Sequence, residues 1–164
     1  MKHGKITVEP VGQVVSTRAK AIDDHWDEET SAIIISDTFK SEVLSGLADF
    51  SHIEVLYYFN QVDESRITVG ARHPRNNPDW PKVGIFAQRG KNRPNRLGVT
   101  ICRVLAVKGN EIQVHGLDAI DGTPVIDIKP VMKEFLPREP VKQPVWSEEI
   151  MSNYWAPTSK PDHE

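Results

Sequence analysis

Cysteine is almost absent from this chain, with one residue, Cys102, among 164. A lone cysteine excludes an intrachain disulfide, and without a CxxC motif or zinc-type His/Cys spacing no metal site is expected; a reducing compartment fits best. Long apolar runs are missing as well. No segment approaches the roughly 18 uninterrupted apolar residues of a membrane-spanning helix, and the opening MKHGKITVEPVGQVV lacks the apolar centre of a signal peptide. A soluble, cytoplasmic protein with no membrane partner is expected. There is no GxGxxG, no phosphate-loop motif and no internal repeat, so a nucleotide-like cofactor would not be held by the usual Gly-rich turn. Nor is there an excess of positive charge: the net charge is −3, which gives no general attraction for nucleic acid and argues against a DNA partner.

The charge that is present is unevenly placed. Arg72, Arg75, Lys82, Arg89, Lys91, Arg93, Arg96 and Arg103 stand against the single acid Asp79 in that interval, whereas Asp23, Asp24, Asp27, Glu28 and Glu29 crowd into residues 21–30. The basic group interrupts VGIFAQRGKNRPNRLGVT, residues 83–100. Charges are costly to bury without a partner, so such a loop between apolar runs is either a solvated turn or a site for something anionic.

Most of the chain reads as short strands. KITVEPVGQVVS and TSAIIIS are β-branched, the first interrupted by Pro10 and Gly12. HIEVLYYFN (52–60) has the density of a strand buried on both faces. VGIFAQ, LGVTICRVLAVKG and NEIQVHGL follow, with Gly109-Asn110 as a two-residue hairpin turn and Ile112 and Val114 alternating with polar neighbours. TPVIDIKPV closes the set. SDTFKSEVLSGLADF predicts one short helix, capped by Ser36 or Asp37 and carrying Phe39, Val43, Leu44 and Leu47 at helical spacing. VWSEEIMSNYW predicts a second, capped by Ser147, after the extended linker PREPVKQP; APTSKPDHE is expected to fray. Many strands with one or two short helices, and no strand–helix alternation, predict a mainly β fold: a small single-domain β-barrel over residues 1–135, with a C-terminal extension at 136–164.

Four segments can carry chemistry. ARHPRNNPDWP (71–81) is a proline-fixed loop bearing His73, Arg75 and Trp80. FAQR followed by RPN stiffens the chain around Arg89 and Arg93, and Gly98 permits close approach at the start of the next strand. HGLDAIDGTPVIDIKP holds a turn at Asp121-Gly122, but turn chemistry does not account for Asp118, Asp127 and Lys129, charged positions in an apolar strand pair. In DFSHIEVLYYFNQ, His52 is most simply a structural histidine, while Asn60 and Gln61 at the strand exit offer amides to a base or an amino-acid moiety.

In this order, FSHIEVLYYFNQ, HPRNNPDWPKVGIFAQRGKNRPNRLGVT and GLDAIDGTPVIDIKP resemble the TsaA-like family, also called YaeB-like or TrmO, over roughly residues 8–131. The resemblance implies a small β-barrel that binds S-adenosylmethionine, usually as a homodimer, and methylates the exocyclic nitrogen of threonylcarbamoyladenosine beside the tRNA anticodon. Carried over by position, it implies a cofactor pocket formed by Asn60, Gln61, Phe86, Ala87, Arg89, Val99, His115, Gly116, Leu117 and Asp118. Arg75, Lys91, Arg93, Asn95 and Lys129 are expected to meet substrate or RNA, and Asp121 or Asp127 is the candidate general base. Asp23, Asp24 and Trp26 fall loosely where the family's first cofactor loop lies. The chain departs from the family pattern at Gln88, Arg96 and Val131, and residues 132–164 are not expected to supply the C-terminal domain of longer bacterial members. Two other readings share the pocket: a methyltransferase for a small molecule or another RNA, and a non-catalytic S-adenosylmethionine-binding protein.

Overall fold

A computed structural model describes residues 4–158. Six antiparallel strands close into a barrel, the first three being β1 (Gly12–Val15), β2 (Thr30–Ile35) and β3 (His52–Tyr58). Two very short strands, β4 (Ala71–Arg72) and β5 (Val83–Gly84), pair outside it and close off the proline-rich loop. The barrel continues with β6 (Leu97–Lys108), β7 (Glu111–His115) and β8 (Pro124–Pro130), in the spatial order β1-β2-β7-β6-β3-β8. The mainly β barrel expected from the strand pattern is therefore present, and Gly109-Asn110 forms the β6–β7 turn.

Period-two alternation fills the interior. Val14, Ile33, Ile53, Val55, Ile112, Val114 and Val125 are fully buried, and β-branched side chains suit such a pleated inner wall. β3 alternates in the same way, with Ile53, Val55 and Tyr57 inward and the intervening residues half-covered. It is thus an ordinary barrel strand, not one buried on both faces, because a single barrel layer has only one dry side.

Four other expectations are corrected. The stretch 36–50 is not a helix but two 3-10 turns, Ser41–Leu44 and Leu47–Asp49. Gly46 separates them in a left-handed conformation, φ 81°. Phe39 and Val43 stay exposed and only Leu44 is buried, so the apolar positions never form the continuous stripe that holds a helix on a sheet. VGIFAQ is strand only at Val83–Gly84 and then turns as a 3-10 segment, Ile85–Ala87. The C-terminal α1 (Val145–Met151) starts after Pro144; Ser147 lies inside its first turn, with its hydroxyl donating to the Pro144 carbonyl. Residues 156–158, expected to fray, are hydrogen-bonded to the loop preceding β2, while the rest of that tail lies outside the described residues.

β6 is the strand that positions the site. Its first half, Leu97 to Arg103, pairs with β3, and its second half, Arg103 to Lys108, pairs with β7. The side of Leu97–Cys102 that faces away from β3 therefore has no strand partner. At its start Gly98 sits opposite Tyr57, and a β-carbon there would stand 2.4 Å from the Tyr57 ring. The missing side chain lets the ring lie flat on the neighbouring backbone, edge-on to Phe59 at 5.4 Å between centroids. Gly98→Ala should push that ring off its rotamer and cost about 1–3 kcal/mol, as overpacking of a filled core does. Urea denaturation measures it; an unchanged midpoint would show that the ring has room to move.

Candidate functional site

The antiparallel order puts the ends of β1, β3 and β7 and the starts of β2, β6 and β8 at one mouth of the barrel. Loops 16–29, 59–96 and 116–123 all open there. At this mouth Tyr57 is the last inward residue of β3, and Thr100 is the inward residue of β6 beside the unpartnered edge. Their hydroxyls both donate to the Oδ1 atom of Asp118, Tyr57 at 2.8 Å. The Tyr57 hydroxyl also lies 3.3 Å from the Asp118 carbonyl oxygen. The second carboxylate oxygen, Oδ2, accepts the hydroxyl of Tyr154, which arrives from beyond α1. One half-buried carboxylate thus gathers three hydroxyl donors.

The electrostatic consequences are consistent. Burial, reinforced by the negative Asp118, pushes the Tyr57 phenol well above its ordinary value. Burial followed by Asp118 raises Tyr154 too, with the Arg89 guanidinium pulling the other way. Cys102, buried one inward position below Thr100, is pushed up to about 12 by desolvation first and Asp118 second. All three groups stay protonated around neutrality, so the phenols are donors there and the thiol is no nucleophile.

The basic loop is organised by bonds from guanidinium groups to backbone carbonyls. Arg89 donates to the Val99 carbonyl on the unpartnered edge of β6. Arg93 donates to the Gln88 carbonyl at 3.0 Å, and Gln88 in turn donates from its amide to the Arg72 and Val83 carbonyls, which closes the β4–β5 pair. Arg96 donates to the Val62 carbonyl at 2.9 Å, pairs with Glu64 and lies 4.8 Å over the Tyr58 ring. Arg75 is held by both oxygens of Asp24, at 2.9 and 2.7 Å, with Asp23 at 3.7 Å.

Comparison with known proteins fits this geometry. The family model described as the tRNA-methyltransferase O N-terminal domain matches residues 22–135. The chain belongs to that family. Among its relatives, a protein of Methanothermobacter thermautotrophicus carrying the name "Probable S-adenosyl-L-methionine-binding protein" is 37% identical over 138 residues, covering 82% of this chain and 96% of that one. A human tRNA (adenine(37)-N6)-methyltransferase is 34% identical over 116 residues, 71% of this chain. The chain spans only about a quarter, 26%, of that human relative's length. The crystal structure of TrmO from Pseudomonas aeruginosa superposes with a TM-score of 0.70 at 24% identity, covering 87% of this chain and 63% of that one, and so shares the fold.

Of the residues that the TrmO-type resemblance marks for a pocket, the structure brings Asp118, Val99, Arg89, Gly116 and the buried Leu117 to the mouth. His115 ends β7 beside them, half-buried and paired with Thr30 and Arg103. Asn60, Gln61 and Ala87 are exposed at the same end, and Phe86 presents a ring that is 80% exposed. The structure separates others. Lys129 lies five residues down β8 from Pro124, about 16 Å at ~3.3 Å per residue, and is paired with Asp127. Asp127 also accepts from the Ile128 amide, while Asp121 accepts from the Ser16 amide at the loop surface. Arg75 and Arg93 have the internal partners described above. Lys91 has no ion-pair partner among the described residues, and Asn95 is exposed in a left-handed turn, φ 63°.

Tyr57, Thr100 and Tyr154 escaped the sequence reading. Tyr57 carried a usable signal: it shares parity with Ile53 and Val55, and an inward tyrosine at a strand end needs a partner for its hydroxyl. Tyr154 carried none, since only tertiary structure brings it back to residue 118.

A pH dependence follows from the raised thiol and phenols. A folded pKa above the unfolded one means that the fold binds more protons in alkali, so stability is full below about 9 and declines as pH rises toward 12. Urea midpoints should stay level from about pH 7 to about pH 8.5 and then fall, with a shallower fall in Cys102→Ala. A level midpoint up to about pH 11 would contradict the assignment.

Proposed function

We propose that this protein binds S-adenosylmethionine at the barrel mouth and methylates N6 of adenine 37 in tRNA, acting on its threonylcarbamoyl-modified form. The observation that carries the reading is the gathering of Asp118, Arg89 and the exposed Phe86 at one end of a barrel of this family. The names of the human and archaeal relatives support its two halves, transfer to tRNA adenine and binding of the methyl donor.

The residues present fit the chemistry of this cofactor. Asp118 is an acceptor for an ammonium or a ribose hydroxyl, Arg89 a donor for a carboxylate, and Phe86 a face for a purine. Val99 and the backbone at Gly116 and Leu117 supply apolar and main-chain contacts beside them. When bound, the sulfonium supplies an electrophilic methyl group. The chain's own task is to hold acceptor and donor in line at about 3–3.5 Å, which needs stiffness more than functional groups. The guanidinium–carbonyl bonds of Arg89, Arg93 and Arg96 provide that stiffness in the loop.

The acceptor nitrogen lies between a purine ring and a carbamoyl carbonyl, so its proton is more acidic than that of plain adenine and its removal calls for no dedicated strong base. Asp121 and Asp127, the candidate bases, are each engaged elsewhere, and neither hydrogen-bonds to the Asp118 cluster. For RNA, Lys91 and Lys82 are cations of the loop region without ion-pair partners among the described residues. Phosphate contacts of this kind position a nucleic acid without reading it. A homodimer is part of the proposal. Leu97, Ile101 and Leu105, all at least 40% exposed, form an outward row on β6, the strand whose first half lacks a partner on one side. A second reading, cofactor binding without transfer, rests on the archaeal relative's name, which stops at binding.

Calorimetry with S-adenosylhomocysteine should show binding that Asp118→Asn and Arg89→Ala each weaken at least about tenfold, since a charged hydrogen bond is worth about 1.5–3 kcal/mol. Equal affinity in both variants would remove the site from the barrel mouth. Nucleoside mass spectrometry then separates the readings. Methylated threonylcarbamoyladenosine formed on tRNA from a strain lacking the gene establishes transfer, and its absence despite cofactor binding leaves the binding protein.

A further inference from the structure

The C-terminal segment lies outside the region matched by the family model, yet it is built into the mouth. Glu149 on α1 accepts the Trp80 indole N–H at 2.7 Å. Beyond the helix, the Asn153 carbonyl accepts the His25 amide at 3.1 Å and the Tyr154 carbonyl accepts the Trp26 amide at 2.8 Å. The ring Nδ1 of His25 is 3.1 Å from the Ala156 carbonyl oxygen. Three mouth segments, 22–29, 74–81 and 116–118, are therefore bridged by one strap. At its centre the Tyr154 ring stands edge-on to Trp155, 5.0 Å between centroids, and the Trp155 ring lies over Gly116.

The two oxygens of Asp118 have different duties. Oδ1 takes Tyr57 and Thr100 from the barrel wall, whereas the side-chain donor on Oδ2 among the described residues is Tyr154. Oδ2 is thus the oxygen a ligand at the mouth would use, and it is the one the strap covers. We infer that the strap 145–158 is a built-in competitor of the ligand, with the Tyr154 hydroxyl occupying Asp118 Oδ2 until a ligand ammonium or hydroxyl exchanges with it. This rests on the reading of Asp118 as a ligand acceptor. Apparent affinity is then the intrinsic affinity reduced by the fraction of molecules in which the oxygen is uncovered. Only the phenol has to leave Oδ2 while the strap's other bonds stay made, so exchange needs no opening of the barrel.

The test is calorimetric titration of the full chain with S-adenosylhomocysteine, comparing wild type, Tyr154→Phe, Glu149→Gln and Asp118→Asn. Tyr154→Phe keeps the ring and removes the donor; it should tighten binding about five- to tenfold as the covered fraction disappears. Glu149→Gln weakens the clamp on Trp80 from an exposed position and should tighten binding in the same direction by a smaller factor, so the test survives if Tyr154→Phe folds poorly. If Asp118→Asn weakens binding while neither strap variant tightens it, or both weaken it, the competitor is overturned and the site stands. If Asp118→Asn leaves affinity unchanged, the site reading itself fails and the competitor with it.

Discussion

Tyr57 and Thr100 donate to the same oxygen of Asp118, and this contact holds the mouth together where β6 has no strand beside it. Along its first half β6 has β3 on one side and no strand on the other. An unpaired strand edge is a liability in any sheet. Here the Asp118 carboxylate, next to buried Leu117 in the loop after β7, ties that loop to both neighbouring strands. The interaction that completes the fold is therefore also the one that places a charged acceptor at the mouth. Structure and chemistry cannot be separated at residue 118.

The arginine-rich loop solves a second problem of the same kind. The excursion 59–96 contains little regular structure, so many of its backbone carbonyls have no ladder partner. Arg93 and Arg96 supply donors to the Gln88 and Val62 carbonyls within it, and Arg89 ties it to the Val99 carbonyl on β6. Left-handed Arg75, Asn76, Asn95 and Arg96 show how sharply the chain turns between these anchors. The basic cluster is a scaffold first, and its charge at the mouth is a by-product that an anionic ligand can use.

Much of this was legible in the residues. The β-branched run TSAIII and the alternation in EIQVH read as strands, and the hairpin turn at 109–110 joined β6 to β7. The helix at 36–50 was misread because its apolar spacing is helical while nothing in the sequence shows that Phe39 and Val43 face water. Around the site, Asp118 stood out because an acid in an apolar stretch needs a partner, but the partners lie 61, 18 and 36 residues away in the chain. Separations of that size are set by barrel register and by the path of the tail, neither of which leaves a local mark. Gln88 and Arg96, which depart from the family pattern, prove to be internal donors, so those departures bear on how the loop is held together.

The amide of Thr158, among the last described residues, lies 3.4 Å from the Glu28 carboxylate, beside the loop that carries Trp26. The described part of the chain therefore ends at the rim of its own mouth. A label or crosslinker attached at position 158 would therefore sit next to the opening and report on what enters it.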